Sequence, residues 1–182
     1  MMKTDDRKWE ILHSEYLIKR PWLTARRDHV KLPTGAECPE YYILEYPDWI
    51  NVIAITREGK FVMVRQYRHG IQETHYELCA GVMDSGETPL EAARRELYEE
   101  TGFGGGEWSE FMTTCPNPSS MNNTSHTFLA IGVEQISTQH LEATEDITVH
   151  FFERDEVVAM LRDDLIRQAL MVAPLWKYFA TH

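Results

Sequence analysis

The chain predicts an α/β fold, a mixed sheet flanked by helices and preceded by a small antiparallel sheet. Three observations carry this. Runs of strand length, bounded by turn signals, recur from Trp9 to Glu153; helical periodicity is confined to Pro89 to Thr101 and the C-terminal third; strands and helices do not alternate in a strict βαβ repeat. With 182 residues, 43% of them hydrophobic and 11% aromatic, the chain can bury a sizeable core.

The elements follow in order. WEILHSEYLI and PWLTARRDHVKL read as strands, Pro33 to Gly35 as a turn, and YYILEY as a third strand, so residues 1–46 form an N-terminal β subdomain and 47–182 the main domain. WINVIAIT is a continuous apolar run suited to a buried strand; the turn Arg57-Glu58-Gly59-Lys60 and FVMVRQY complete a hairpin. Tyr76 to Ala80 supplies another strand, as do SEFMTT, HTFLAIGV and ITVHFFE. DEVVAMLRDDLIRQALMVAPLWKYF reads as two helices separated near Arg162 to Asp164, with Leu170, Met171, Leu175 and Trp176 in the core. Pro174 is expected to end or kink the second helix, because proline has no N–H for the helical ladder.

Charge and composition exclude several functions. A net charge of -11 argues against a nucleic-acid partner, which clustered Lys and Arg would have to grip. Cys38, Cys79 and Cys115 form neither a CxxC pair nor a disulfide framework, which suits a reducing cytoplasm. MMKTDDRKWE lacks the apolar stretch of a signal peptide, and no run reaches the roughly 20 apolar residues of a membrane span. A soluble cytoplasmic protein without membrane contact is the expectation.

The helix at Pro89 has unusually complete boundary signals. Thr88 can cap it, Pro89 takes the first position, Glu91 completes a capping box, and Gly102 stands where a left-handed terminator is wanted. Leu90, Ala93 and Leu97 form its apolar stripe, and Glu96 and Glu100 lie at the border of that stripe with Glu99 beside Glu96. Like charges at this spacing repel by a few tenths of a kcal/mol per pair (about 0.2–0.5). Either Arg94 and Arg95 offset them, pairing with Glu91 and Glu99 on a salt-bridged surface, or the carboxylates hold a cation. Oxygen-only ligands describe Mg²⁺ or Mn²⁺ and not zinc.

The wider pattern decides between these. Gly81, Glu87, Arg95, Glu96, Leu97, Glu99, Glu100, Gly102 and Phe103 occupy every fixed position of G-x5-E-x7-R-E-U-x-E-E-x-G-U, where U is aliphatic or aromatic. The chain therefore resembles the Nudix hydrolases. The resemblance implies an α/β/α sandwich and hydrolysis of a nucleoside diphosphate linked to another moiety. It also implies Glu96 and Glu100 as principal metal ligands, Glu99 as a further one, and the carbonyl of Ala80 as another oxygen. Glu87 would pair with Arg95 and hold the loop that starts at Gly81 to the helix. Divalent cations suit this reaction because they neutralise a diphosphate and acidify water.

Features around the box are similar to the branch of ADP-ribose and nucleoside-diphosphate-sugar pyrophosphatases. QYR at Gln66 to Arg68, followed by YELCAG, places Arg68 at the branch's diphosphate-contacting arginine, with Arg65 a second candidate; Cys79 replaces a common proline. Pro118 in CPNPSSMNN stands near a branch proline, in a loop whose polar residues either meet sugar hydroxyls or form an ordinary turn. In LEATEDITVHFF, Glu145 is the first choice for general base and Glu142 the second, because Ala143 stands where some members carry theirs; His150 reads as an inert strand residue. The N-terminal sheet resembles one that exchanges across a homodimer, which would make Trp22, and less directly Trp49, a platform for the base or a packing residue. The implied function is Mg²⁺-dependent cleavage of ADP-ribose or a related small-molecule nucleotide sugar to a nucleoside monophosphate and a sugar phosphate, by a homodimer. The alternatives are a Nudix hydrolase of triphosphates or dinucleotides, and a non-catalytic nucleotide-sugar sensor.

Overall fold

The computed structural model describes residues 7–182. The first six residues of the MMKTDDRKWE stretch lie outside the described residues. Two compact units are present: residues up to Tyr46 together with Asn117–Asn123, and Pro47–Pro116 together with Thr124–His182.

The first unit is a three-stranded antiparallel sheet of β1 (Glu10–Arg20), β2 (Leu23–Lys31) and β3 (Glu37–Glu45), in that order. Its middle strand carries a charge network. Arg26 lies 3.1 Å from Asp28 and also pairs with Glu45, while Ser14 donates to Asp28 at 2.6 Å. Arg27 bridges Glu15 at 2.7 Å and Glu40 at 3.0 Å. β1 is exposed along its whole length although it carries Ile11, Leu12, Tyr16, Leu17 and Ile18. The CPNPSSMNN loop supplies this unit with backbone: Leu44 N–H donates to the Ser120 carbonyl at 2.7 Å, and Met121 bridges Leu44 in parallel. The Tyr41 hydroxyl donates to the Ser119 carbonyl at 2.5 Å, and the Tyr46 N–H to Asn122 Oδ1 at 3.3 Å.

The second unit is a mixed sheet with helices on both faces. Its strands are β4 (Trp49–Thr56), β5 (Phe61–Arg68), β6 (Glu73–Glu77), β7 (Cys79–Val82), β8 (Phe103–Gly104), β9 (Glu107–Thr114), β10 (Ser125–Gln135) and β11 (Ile147–Phe152). The path runs β11-β5-β4-β10-β8, with β6 on β5, β7 on β4 and β9 on β10; β4 and β10 are parallel and the other pairs antiparallel. Tyr76 to Ala80 thus divides between two strands with different partners, and the break falls at buried Leu78.

β4 is apolar except at Asn51 and its last residue, Thr56, because it is buried on both faces. Ile50, Val52 and Ala54 pack with Ala92, Ala93 and Leu97 of α1 (Pro89–Thr101); Ile53 and Ile55 pack with α2 (Arg154–Arg162) and α3 (Ala169–Thr181). The C-terminal break is longer than Arg162 to Asp164, since α3 starts only at Ala169. Met171 and Leu175 are in the core as expected, whereas Leu170 is half-buried and Trp176 exposed.

Pro174 does not end α3, which runs on to Thr181. A proline at 174 frees the carbonyl of Leu170 four residues earlier. Asn51 of β4 takes it, its Nδ2 donating to Leu170 O at 3.0 Å. The tertiary contact supplies the hydrogen bond that proline removes from the helix.

Candidate active site

Helix α1 places the carboxylates, and its caps fix its register. Thr88 Oγ1 accepts from Glu91 N at 3.3 Å, and the Glu91 side chain accepts from Thr88 N at 2.8 Å, closing the capping box. Gly102 ends the helix at φ 75°, and a Cβ there would meet the Ser137 carbonyl at 2.3 Å.

Arg95 organises the loop and the acids together. Its Nε and Nη2 fork onto Glu87 at 2.8 and 2.9 Å, and Nη2 also reaches the Val82 carbonyl at 3.0 Å. Nη1 donates to Glu96 at 2.8 Å and to Glu99 at 3.1 Å. Glu87 in turn accepts from Asp84 N at 3.0 Å. The Arg95 guanidinium, with help from that N–H, holds the Glu87 carboxyl down at about 2. Glu87 thus ties the loop to the helix.

Glu96 and Glu100 lie against consecutive residues of β7. Glu100, only 4% exposed, accepts from Ala80 N at 3.1 Å. A Cβ at Gly81 would sit 2.1 Å from the Glu96 carboxylate, so glycine is required there by contact and not by a turn. Burial raises the Glu96 carboxyl, and the charges of Glu99 and Glu145 add to it. Burial pushes Glu100 up to about 8, with Glu96 and Glu145 adding repulsion against the lowering hydrogen bonds from Cys79 and Ala80. Glu145 is therefore electrostatically part of the cluster. It sits in a turn, accepting from Glu142 N at 2.8 Å, and both residues are exposed.

This donor set fits a hard divalent cation: the groups it offers are oxygens, and the Gly81 cradle accommodates the Glu96 carboxylate. Among the described residues no three acidic, His or Cys side chains already converge as a ligand cage. Arg95 draws Glu96 and Glu99 towards itself, and Ala80 N–H holds Glu100.

Arg68 faces this cluster, and the negative charge of Glu100 acts on it. It forks onto Glu77, which is 1% exposed, at 3.0 and 2.6 Å, leaving its other guanidinium donors for an anion. Arg65, three residues earlier on the same strand, points to the opposite face and lies over the Tyr76 ring at 5.7 Å. The structure does not bring it to the carboxylates. His150 packs among Tyr76 and Phe152 as a strand residue. Trp22 stands at the β1–β2 turn of the first unit, 81% exposed.

A cavity of about 330 Å³ borders Ala80, Gly81 and Arg68, and Trp49, Asn51, Ser125 and Gln168 also line it. Sequence reasoning missed the last three. The available signal was Asn51, the one amide in the apolar run WINVIAIT.

Comparison with known proteins identifies the family. Residues 46–173 match the NUDIX domain family, and residues 9–44 match the nucleoside diphosphate sugar hydrolase N-terminal domain. The chain is 34% identical over 128 residues to an ADP-ribose pyrophosphatase of Bacillus subtilis (strain 168), covering 69% of this chain and 67% of that protein. It is 28% identical over 172 residues to an ADP-ribose pyrophosphatase of Mycobacterium tuberculosis, covering 92% and 82%. The crystal structure of an ADP compounds hydrolase shares the fold, with a TM-score of 0.84 at 21% identity over 95% of this chain and 93% of that one. Among the described residues no helix is long and apolar enough to cross a membrane. With the complete box inside the longer family match and its carboxylates set on β7 as described, the chain belongs to the Nudix family, as a hydrolase of the ADP-ribose pyrophosphatase type.

Proposed function

We propose that the protein hydrolyses the pyrophosphate bond of ADP-ribose or a related nucleoside diphosphate sugar, using Mg²⁺ or Mn²⁺. The observation that carries the reading is the meeting of Glu96, Glu100 and Arg68 around Ala80 and Gly81: acids for a cation beside a cation for a phosphate. The match of residues 9–44 to a nucleoside diphosphate sugar hydrolase domain and the names of the two relatives support the substrate class.

Glu96, Glu100, Glu99 and the Ala80 carbonyl would hold the metal, which supplies charge neutralisation and a more acidic water. Arg68, braced by Glu77, binds and orients the diphosphate. Glu145, whose charge already acts on Glu96 and Glu100, accepts the proton of the attacking water as its oxygen adds to phosphorus. The bridging P–O bond breaks, leaving a nucleoside monophosphate and a sugar phosphate. Glu87, Arg95 and Gly81 position the ligands without touching substrate.

The exposed apolar residues of β1 support a homodimer formed through residues 1–46, with Trp22 available at its rim to stack a base. Incubation with Mg²⁺ and ADP-ribose, ADP-glucose, UDP-glucose, GDP-mannose or NADH should release monophosphate from at least one ADP-sugar. Binding of these compounds without turnover of any would overturn the enzymatic reading.

A further inference from the structure

Glu145 sits in a loop that its own charges push away from α1. Residues 142–146 are exposed throughout and carry Glu142, Glu145 and Asp146, and the charge of Glu145 acts on Glu96 and Glu100 of the helix. The hydrogen bonds inside the loop are local: Glu142 N–H donates to the Glu145 carboxylate at 2.8 Å, and Glu145 N–H to the Glu142 carbonyl at 3.0 Å. Neither bond reaches α1. Acids that face acids repel, so the loop stays beside the cluster only if something outside it holds it there.

The two residues that lead into the loop supply that hold. His140 N–H donates to the Glu99 carbonyl at 2.8 Å, and its ring stacks on Tyr98 with centroids 5.0 Å apart and planes 17° apart. Gln139 does more. Its Nε2 donates to the Glu100 carbonyl at 2.7 Å and to the Ile147 carbonyl at 3.0 Å. Both partners are carbonyls, so the nitrogen end of the amide must face them. The first carbonyl belongs to the last turn of α1, where the helix offers its carbonyls no partner of its own and a donor is favoured. The second belongs to the first residue of β11, where the loop ends. One half-buried amide thus joins three things: the start of the loop, its end, and the backbone of Glu100.

We propose that Gln139 is a positioning residue for the reaction: it closes the neck of the 140–146 loop against the last turn of α1 and so keeps the Glu145 carboxylate beside Glu96 and Glu100. The inference rests on the hydrolase reading with Glu145 as base, and it deepens that reading by naming what aims the base.

Gln139→Met keeps the length of the side chain and removes both donors. Hydrogen exchange read by mass spectrometry on the full chain needs no substrate. The His140 and Glu145 amides should exchange about tenfold faster in the variant, the mark of a local opening, while β4 and α1 keep their wild-type protection. Steady-state rates on the nucleotide-sugar panel in Mg²⁺ give a second reading. Gln139→Met should lower kcat about ten- to hundredfold, the cost of misaiming a catalytic group by about 1 Å, with KM and the Mg²⁺ concentration for half activation within about twofold of wild type. In a Glu145→Gln background the same change should cost less than about twofold, because the base that it aims is already gone. Equal losses in the two backgrounds, an unchanged kcat, unchanged exchange in the loop, or protection lost across β4 and α1 as well would each overturn the proposal. A wild type that turns over no member of the panel, with faster exchange confined to the loop in the variant, refutes the hydrolase reading and leaves the clamp on the loop standing.

Discussion

Glu100 and Glu145 show how differently two acids of one cluster are placed. Glu100 is buried against β7, where its carboxyl is pushed up to about 8, while Glu145 is exposed and acts on Glu96 and Glu100 through its charge. A buried acid suits a ligand role and an exposed acid beside the cluster suits proton transfer. Glu145→Gln should therefore lower kcat by about 10²- to 10⁴-fold, the usual contribution of a general base, with Mg²⁺ affinity close to wild type. Glu142, whose backbone N–H props the Glu145 carboxylate, should tolerate the same change with a small loss. A larger rate loss in Glu142→Gln, measured under saturating substrate and metal, would reverse the assignment. At this scale the box acids were legible in the sequence, since their spacing alone singles them out. The difference between Arg65 and Arg68 became visible only with the strand pairing: residues three apart on β5 face opposite ways.

Helix α1 and the loop before it act as one element because Arg95 joins them. Glu87 is held at about 2, well below its unfolded value near 4.3, so its ionised form is favoured by the fold. A depressed carboxylate contributes stability above the unfolded pKa and loses it as pH falls through the folded one. Glu87→Gln should thus be less stable than wild type at pH 7 by a fraction of a kcal/mol to about 1 kcal/mol, the scale of a partly exposed ion pair. The gap should close between about pH 4.5 and 2, as urea unfolding at stepped pH would show. A gap that stays constant down to pH 2 would mean that the pairing carries no charge-dependent stability. The caps of α1 were readable residue by residue, since each signal and its partner lie within a few positions. α3 was not: the Leu170 carbonyl that Pro174 leaves free is taken by Asn51, 119 residues before Leu170 in the chain.

For the whole molecule, β1 is the feature that predicts an assembly. A strand exposed from end to end and carrying Ile11, Leu12, Tyr16, Leu17 and Ile18 is an unusual surface for a monomer. Light scattering after gel filtration should give twice the 21.2 kDa chain mass, and Leu17→Glu with Ile11→Glu should shift the protein to monomer while its helical circular dichroism persists. A wild-type monomer at micromolar concentration would exclude the dimer. The sequence alone determined the hydrolase family and most of the strands and helices, because the box spacing, the helix caps and the apolar runs are patterns of near neighbours. Only the tertiary structure decided where the CPNPSSMNN loop belongs, how Tyr76 to Ala80 divides and which polar atoms line the cavity beside Gly81. Each of these depends on residues far apart in the chain meeting across a sheet, and no local pattern records such a meeting.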